Sequence, residues 1–313
     1  MKRLIYIALA LSLAVACKNS HKPATDSEPT NATTEQTAKQ LNFIPALAPA
    51  MLPQEQKMEY MREHYWDKFD FADTTFINQI DSTKMLTAFA VYATGYIPDS
   101  LAYKYMPRLM QRASTSKRMY TYFLMLAEGV LHDPNSPLRN DEKYIPVLEN
   151  AVQSSLLDEY ERMPYEYDLE IARQNRIGRI ANDFTYTLAS GRTATLHNIK
   201  ADYTLIFISN PGCPMCREVK EQITTSPMLQ ELIERKELKV LVIYPDTDLE
   251  AWREHLQDYP ASWINGYDAD QRIEKERLYD LKAIPALYLL DKQKRVMAKD
   301  CTDVAYIEKL LSE

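Results

Sequence analysis

Residues 203–216 read YTLIFISNPGCPMC, and this stretch decides the fold of the second half of the chain. Residues 203–209 carry no charge and predict a strand that is buried on both faces, as in a sheet covered by helices. Asn210, Pro211 and Gly212 then end the strand. A pair of cysteines separated by two residues follows, at the predicted start of a helix. A buried strand that leads through such a pair into a helix indicates an α/β domain.

The remainder of the second half alternates predicted strands with predicted helices. Two short alternating stretches, joined by a turn at Ser190-Gly191, predict a β-hairpin before the buried strand. Further strands are predicted at residues 238–244, 286–290 and 295–298. Helices are predicted at 217–235, with an interruption near Ser226-Pro227, and at 249–256, 271–281 and 304–311. We therefore assign residues 177–313 to one α/β domain.

Cys213 and Cys216 form the predicted reactive pair of this domain. A cysteine at a helix N-terminus faces unpaired backbone N–H groups and the positive end of the helix dipole, which stabilise its thiolate. We therefore expect Cys213 to be the catalytic nucleophile and Cys216, one helical turn later, to resolve the mixed disulfide. Pro214 suits the first helical turn, where its missing N–H costs nothing. Pro214 and Met215, which lie between the sulfurs, are expected to tune the redox potential.

Residues 283–291 read AIPALYLLD and resemble the thioredoxin signature in which a cis-proline opens a central strand. With the hairpin and the cysteine pair, they make residues 177–313 similar to the membrane-anchored thioredoxin-like proteins of the TlpA/ResA type. The resemblance implies that the backbone of Ile284 binds the substrate chain and that Pro285 shapes the site and keeps metal ions away. It also implies a reductive direction with a membrane electron donor. Gly212 stands where these proteins usually have tryptophan, so the predicted site lacks an aromatic lid.

Other interpretations of the cysteine pair stay open. Half of a zinc site would need two more ligands, and His197, His255 and Cys301 stand at no recognised spacing. A structural disulfide without activity is a second alternative. A peroxidase is less consistent with the order of the residues before Cys213. We predict that the site uses no metal and no cofactor.

Residues that could support the site are less sharply indicated. Three carboxylates are candidates to take the proton of the resolving cysteine, and the sequence does not choose among Asp202, Glu218 and Asp246. Cys301 is expected to be an inert, partly buried thiol after the last strand. Packing is the favoured role of three aromatic residues that could also flank the site, Trp252, Trp263 and Tyr267.

The N-terminus predicts export and a lipid anchor. Residues 4–16 are thirteen uncharged residues after a basic start, too short for a membrane span of about 20 residues but typical of a signal peptide. They lead into Cys17 through a stretch that resembles a bacterial lipobox. We therefore predict that residues 1–16 are removed, that Cys17 is acylated and contacts the bilayer, and that residues 17–40 form a disordered tether. An ordinary secreted protein cut near residue 16 is the alternative.

Residues 41–176 predict an all-α domain. Apolar residues recur at helical spacing, as at Met58, Met61, Tyr65 and Phe69. Core packing is the favoured role of the aromatic cluster in this segment, and a binding groove is the alternative for Tyr60, Tyr65, Trp66, Phe69 and Phe71. The stretches HYWDKF (64–69) and NSPLRN (135–140) resemble a helical domain of unknown function that precedes thioredoxin domains in lipoproteins of Gram-negative gut-type bacteria.

Composition narrows the function further. With 46% hydrophobic and 26% charged residues, the chain is neither wholly disordered nor a fibre. With a net charge of −7, the chain lacks the positive electrostatic field that nucleic-acid binding needs, so we predict no nucleic-acid partner. We predict a lipid-anchored, periplasm-facing thiol–disulfide oxidoreductase whose partners are disulfide-containing or dithiol proteins. The alternative is a partner-binding lipoprotein in which the redox domain is accessory or regulatory.

Overall fold

The computed structural model describes residues 43–313, which comprise a helical region and an α/β domain. The predicted order, an all-α region before an α/β domain, is confirmed. The predicted signal peptide (1–16), the tether (17–40) and the acylation site Cys17 lie outside the described residues. Within the described residues, no helix is long and apolar enough to cross a bilayer.

Seven α-helices build the helical region. They are α1 (Gln54–His64), α2 (Phe76–Gln79), α3 (Ser82–Ala90), α4 (Ala102–Ala113), α5 (Lys117–Leu131), α6 (Asp141–Gln153) and α7 (Glu159–Arg173). Side chains cap several of their N-termini. The Asp81 carboxylate, for example, accepts hydrogen bonds from the second and third backbone N–H groups of α3. A π-helix, Val91–Tyr96, continues α3 directly.

Four of the five aromatic residues in the predicted cluster belong to the core of this region, and Tyr60 is partly buried against it. Tyr65, Trp66, Phe69 and Phe71 are all buried, and the rings of the last three pack around Phe123 of α5. The prediction of one helix carrying both Met58 and Phe69 is wrong at its C-terminal end, because α1 stops at His64. Two tight turns follow, closed by hydrogen bonds from Asp67 N to His64 O and from Phe69 N to Trp66 O. The large rings that follow α1 therefore reach the core from these turns.

The α/β domain is built on a seven-stranded mixed sheet. Its strands are β1 (Thr185–Leu188), β2 (Thr193–Thr195), β3 (Tyr203–Ile208), β4 (Leu238–Tyr244), β5 (Ile264–Tyr267), β6 (Ala286–Leu290) and β7 (Val296–Cys301). The spatial order is β2-β1-β5-β4-β3-β6-β7. Strands β3, β4 and β5 are parallel, whereas β6 runs antiparallel to β3. The sheet therefore places the C-terminal end of β3 beside the N-terminal end of β6.

Two hydrophobic cores cover the faces of this sheet. On one face, Leu205 and Phe207 of β3 pack with residues of α8 (Pro214–Thr225), α9 (Pro227–Glu234) and α12 (Val304–Ser312). On the other face, Ile206 and Ile208 pack with β1 and with the segment around Tyr279. This alternation explains why β3 has no polar side, since both of its faces are buried.

Two sequence predictions in this domain need correction. The predicted helix at residues 271–281 is wrong except for a single turn, since α11 spans only Arg272–Lys275. This turn lies between two residues of positive φ, Gln271 (54°) and Arg277 (51°). The last strand ends later than predicted, at Cys301, so this cysteine lies in β7 rather than after it. Strand β5 was not predicted from the sequence. The remaining helix, α10, spans Leu249–Glu254.

Ion pairs join the helical region to the sheet domain. Arg139, in the loop before α6, lies 3.1 Å from a carboxylate oxygen of Asp300 in β7. Lys299 of the same strand lies 2.6 Å from the Asp141 carboxylate and donates to two backbone carbonyls at the end of α7. These contacts therefore connect the two regions at β7, where the side chains of Asp300 and Lys299 are both largely buried.

Candidate active site

The motif cysteines lie where β3 passes into α8. Cys213 is the N-cap of α8, and its Sγ accepts a hydrogen bond from the backbone N–H of Cys216 at 3.1 Å. Pro214 is the first residue of the helix, where a backbone N–H has no partner within the helix, so proline loses no hydrogen bond there. Gly212 has a φ of 73°, in the left-handed region, and this bend brings the chain from the strand to the helix. The half-buried sulfur of Cys213 therefore lies at the positive end of a twelve-residue helix.

Cys216 is buried directly behind Cys213, with 3% of its surface exposed. Burial raises the pKa of its thiol to about 12, and the contact with Cys213 acts in the same direction. Hydrogen bonds from the Asn210 backbone and the Ser209 side chain act against this rise. The two sulfurs of the pair are thus unequal, since one is accessible and the other must lose a proton inside the protein.

The start of β6 closes the site from the opposite side. The peptide bond between Ile284 and Pro285 is cis, and the Ile284 carbonyl oxygen lies 3.9 Å from Cys213 Sγ. Both predicted substrate-binding residues therefore lie beside the predicted nucleophile. Met215, two residues after Cys213, has 49% of its surface exposed. The exposed part of the site thus combines a reactive sulfur, backbone polar groups and an apolar side chain.

Ser209 and Tyr259 form a hydroxyl pair that the sequence analysis did not identify. Ser209 directly follows β3 and is 2% exposed, and its Oγ lies 2.7 Å from the Tyr259 hydroxyl. Tyr259 and both cysteines line one small cavity of about 70 Å³. Ser209 could have been predicted as a site residue, because it lies just before the cysteine motif in the sequence. Tyr259 could not, because it is 50 residues away from Ser209 in the chain.

None of the three predicted carboxylates is buried against Cys216. Asp202 precedes β3, at the opposite end of the strand from the cysteines, and pairs with Lys292 at 2.8 Å. Glu218 lies on α8 but is exposed, and Asp246 is exposed after β4, where it accepts a hydrogen bond from Thr247 N. Asp202 is therefore separated from Cys216 by the length of β3, whereas proton transfer to Glu218 or Asp246 stays a prediction.

The remaining candidates are placed as follows. Trp263 is buried in the core, where its ring packs against the rings of Phe207 and Tyr259, the latter a member of the hydroxyl pair. Trp252 and Tyr267 pack on each other at 4.8 Å between ring centroids.

Burial raises the pKa of the Cys301 thiol to about 12, and this thiol donates to the Leu287 carbonyl. Within residues 43–313, no three His, Cys, Asp or Glu side chains are grouped to hold a metal ion.

A contact from the helical region reaches the segment before the cis-proline. Lys282 Nζ lies 3.2 Å from Nδ1 of His132, the C-cap of α5, and 2.8 Å from the Asp280 carboxylate. Lys282 stands only two positions before Ile284. The loop that carries the Ile284 carbonyl is therefore held by the helical region as well as by the sheet.

Two family models match the chain. A model described as a domain of unknown function, DUF5106, matches residues 16–175, and a model described as thioredoxin-like matches residues 201–296. No curated protein sequence matches significantly.

Among solved structures, a thioredoxin-like protein from Bacteroides caccae is 42% identical, with a TM-score of 0.81. The match covers 87% of this chain and 98% of that protein. The C-terminal domain of an uncharacterized protein from Bacteroides fragilis is 48% identical over 44% of this chain and 99% of that one, with a TM-score of 0.43. The thioredoxin domain of a thiol-disulfide oxidoreductase from Bacteroides vulgatus is 18% identical over 43% of this chain and 96% of that one, with a TM-score of 0.37.

Proposed function

Because the chain belongs to the thioredoxin-like proteins with an N-terminal DUF5106 domain, we propose that it is a thiol–disulfide oxidoreductase acting through Cys213 and Cys216. One observation carries the proposal. The Cys213 sulfur caps α8, accepts the Cys216 N–H, and lies 3.9 Å from the Ile284 carbonyl beside a cis-proline. A stabilised sulfur next to backbone groups that can hold an extended chain suits attack on a protein disulfide.

The first step forms a mixed disulfide. The Cys213 thiolate attacks one sulfur of the substrate disulfide, and the other substrate sulfur leaves as a thiolate. The Cys216 N–H and the dipole of α8 stabilise the attacking anion before the reaction. The Ile284 backbone pairs with the substrate chain, and Met215 provides apolar contact beside the sulfur.

The second step releases the product. Cys216 loses its proton and attacks Cys213, so that an intramolecular disulfide forms and the second substrate thiol departs. The oxidised protein then needs a dithiol reductant, which we assign to a membrane electron donor. The direction is reductive, and the substrates are disulfide-containing proteins. Pro214 and Met215 set the redox potential through their positions between the sulfurs.

We place this activity outside the cytoplasm, on a lipid anchor at Cys17. The lipobox-like stretch before Cys17 supports this location. Expression in a Gram-negative bacterium tests it. The unmodified chain is expected to incorporate labelled palmitate, and a Cys17→Ser variant is expected to incorporate none. Absence of label in the unmodified chain would refute the anchor.

Reduction of insulin by dithiothreitol tests the activity. We expect the full chain to accelerate the reaction and the Cys213→Ser variant to lose that acceleration. Cys301→Ala is the matched control, because it removes a cysteine that lies outside the motif, and it is expected to retain activity. Equal rates for the Cys213→Ser variant and the unchanged protein would refute the proposal.

A trapping variant tests the order of the two steps. In Cys216→Ala the mixed disulfide cannot be resolved, so adducts with substrate proteins are expected to accumulate on Cys213. Mass spectrometry of periplasmic adducts would identify the partners, with Cys213→Ser as the variant that should give none. The alternative of a partner-binding lipoprotein predicts capture that is unaffected by either substitution.

A further inference from the structure

The resolving step poses a chemical problem, because none of the predicted carboxylates is buried against Cys216. Cys216 must lose a proton, yet burial raises the pKa of its thiol to about 12. Asp202 lies at the far end of β3, and Glu218 and Asp246 are exposed to solvent. A thiol in this position needs a group that accepts its proton as the sulfur attacks.

Two hydroxyl groups lie close to Cys216, and one of them borders the same cavity as Cys216. The Ser209 side chain is buried at the end of β3 and contacts the Cys216 sulfur. Its Oγ lies 2.7 Å from the Tyr259 hydroxyl, in a bond in which either oxygen can be the donor. Tyr259 lines the same cavity as Cys213 and Cys216. A hydroxyl can accept one proton while it donates another, so this pair can pass a proton without either oxygen carrying a lasting charge.

We propose that Ser209 and Tyr259 relay the proton of Cys216 to the cavity during resolution, an inference that rests on the function proposed above. The Cys216 S–H proton moves to Ser209 Oγ as the Ser209 proton moves to Tyr259 and the Tyr259 proton moves to water. The freed sulfur attacks Cys213, the bond between Cys213 and the substrate sulfur breaks, and the departing thiolate takes a proton from water. Two electrons pass from the dithiol to the substrate, so no further reagent is needed.

Neighbouring groups hold the relay in place. Trp263 packs against the Tyr259 ring in the core. On α8, the Lys220 ammonium lies 5.8 Å from the centre of that ring and donates to the Asp258 carbonyl. His255 lies 2.7 Å from the Asp258 carboxylate, and both residues border the cavity. Arg217 and Cys213 are the other titratable groups that border it. The Lys220 ammonium and the His255 ring both contact Asp258, whereas the Ser209 hydroxyl contacts Cys216 itself, and this contact favours the hydroxyl pair as the route.

The test separates resolution from attack. Reduced protein, carrying Cys17→Ala and Cys301→Ala so that only the motif cysteines react, is mixed with 5,5′-dithiobis(2-nitrobenzoate). The first thionitrobenzoate is released when Cys213 attacks, and the second is released when Cys216 resolves the adduct. Tyr259→Phe and Ser209→Ala are expected to slow the second release at pH 7 by roughly a hundredfold, the scale of one general acid–base contribution, and to leave the first unchanged. The deficit should shrink at strongly alkaline pH, where hydroxide removes the proton directly.

Tyr279→Phe is the matched control. It removes another buried tyrosine hydroxyl, which donates to the Asn182 carbonyl at 2.7 Å in the core on the opposite face of the sheet. Both releases should be unchanged in this variant. An unchanged second release in Tyr259→Phe and Ser209→Ala, or equal slowing of both releases, would overturn the relay. If Tyr259→Phe fails to fold, Ser209→Ala decides the question. Absence of the first release in the parent protein would instead refute the proposed function.

Discussion

Replacement of Asp300 by asparagine should change how the stability of this protein depends on pH. Asp300 lies in β7, where it is 9% exposed and faces Arg139 of the helical region. Burial raises the pKa of its carboxyl from 3.8 to about 7, and the nearby carboxylate of Asp280 adds to the rise, while Arg139 and Lys282 oppose it. Asparagine resembles the neutral carboxylic acid in shape and tolerates the φ of 45° at this position.

The size of the effect follows from the pKa in the two states. A folded value of about 7 against an unfolded value of 3.8 means that the folded protein binds the proton more tightly. The stability due to this group is therefore complete below pH 3.8 and is lost as the pH rises through about 7. At about 1.36 kcal/mol for each pKa unit, the loss is about 4 kcal/mol.

Urea unfolding of the parent protein and of Asp300→Asn, from about pH 4 to about pH 8, measures this effect. The free energy of unfolding of the parent minus that of the variant should fall by about 4 kcal/mol across this range. Asp303→Asn is the matched control, since it removes an exposed carboxylate and keeps a side chain that can cap α12. A difference that stays constant, or one that increases with pH, would show that Arg139 outweighs the cost of burial and would refute the reasoning.

Two further substitutions test, by thermal unfolding, the packing inside the helical region and inside the sheet domain. Phe123→Ala should cost about 3–5 kcal/mol, because its ring is fully buried among aromatic side chains, whereas Met125→Ala on the exposed side of α5 should cost much less; equal losses would contradict the assigned core. Gly266→Ala should destabilise β5 by about 1–3 kcal/mol, because the new methyl group would lie 2.7 Å from the Tyr186 ring. Gly95→Ala meets no atom within 4 Å and is its control, so an unchanged melting temperature in Gly266→Ala would refute the close approach.

The central strands of the sheet could be predicted closely from the sequence. The structure gives β4 the predicted bounds, Leu238–Tyr244, and ends β3 one residue earlier than predicted, at Ile208. Both strands are buried on both faces, so nearly every residue must be apolar, and this requirement leaves a continuous pattern in the sequence. The junction between β3 and α8 was equally visible, because Pro214 marks the first turn of the helix.

Elements that depend on distant contacts could not be predicted. Strand β5 has only four residues and includes Asn265 and Gly266, so it has no apolar run of its own. Its neighbours β1 and β4 determine it by pairing on both sides. The contact between Tyr259 and Ser209 joins residues 50 positions apart, and no local pattern marks it. In the same way, only the folded chain shows that Asp202 lies at the far end of β3 from the cysteines.

The backbone at Gly212 has a consequence for which side chains this position accepts. Its φ of 73° lies in a region that residues with side chains rarely adopt, although a methyl group added there would meet no atom within 4 Å. The left-handed backbone, rather than a lack of space, therefore favours glycine at this position. Residues with side chains do adopt positive φ elsewhere in the described chain, as at Lys236 (62°) and Lys294 (62°). A tryptophan at position 212 would therefore cost about 1–2 kcal/mol of backbone strain, unless the loop adopts another course.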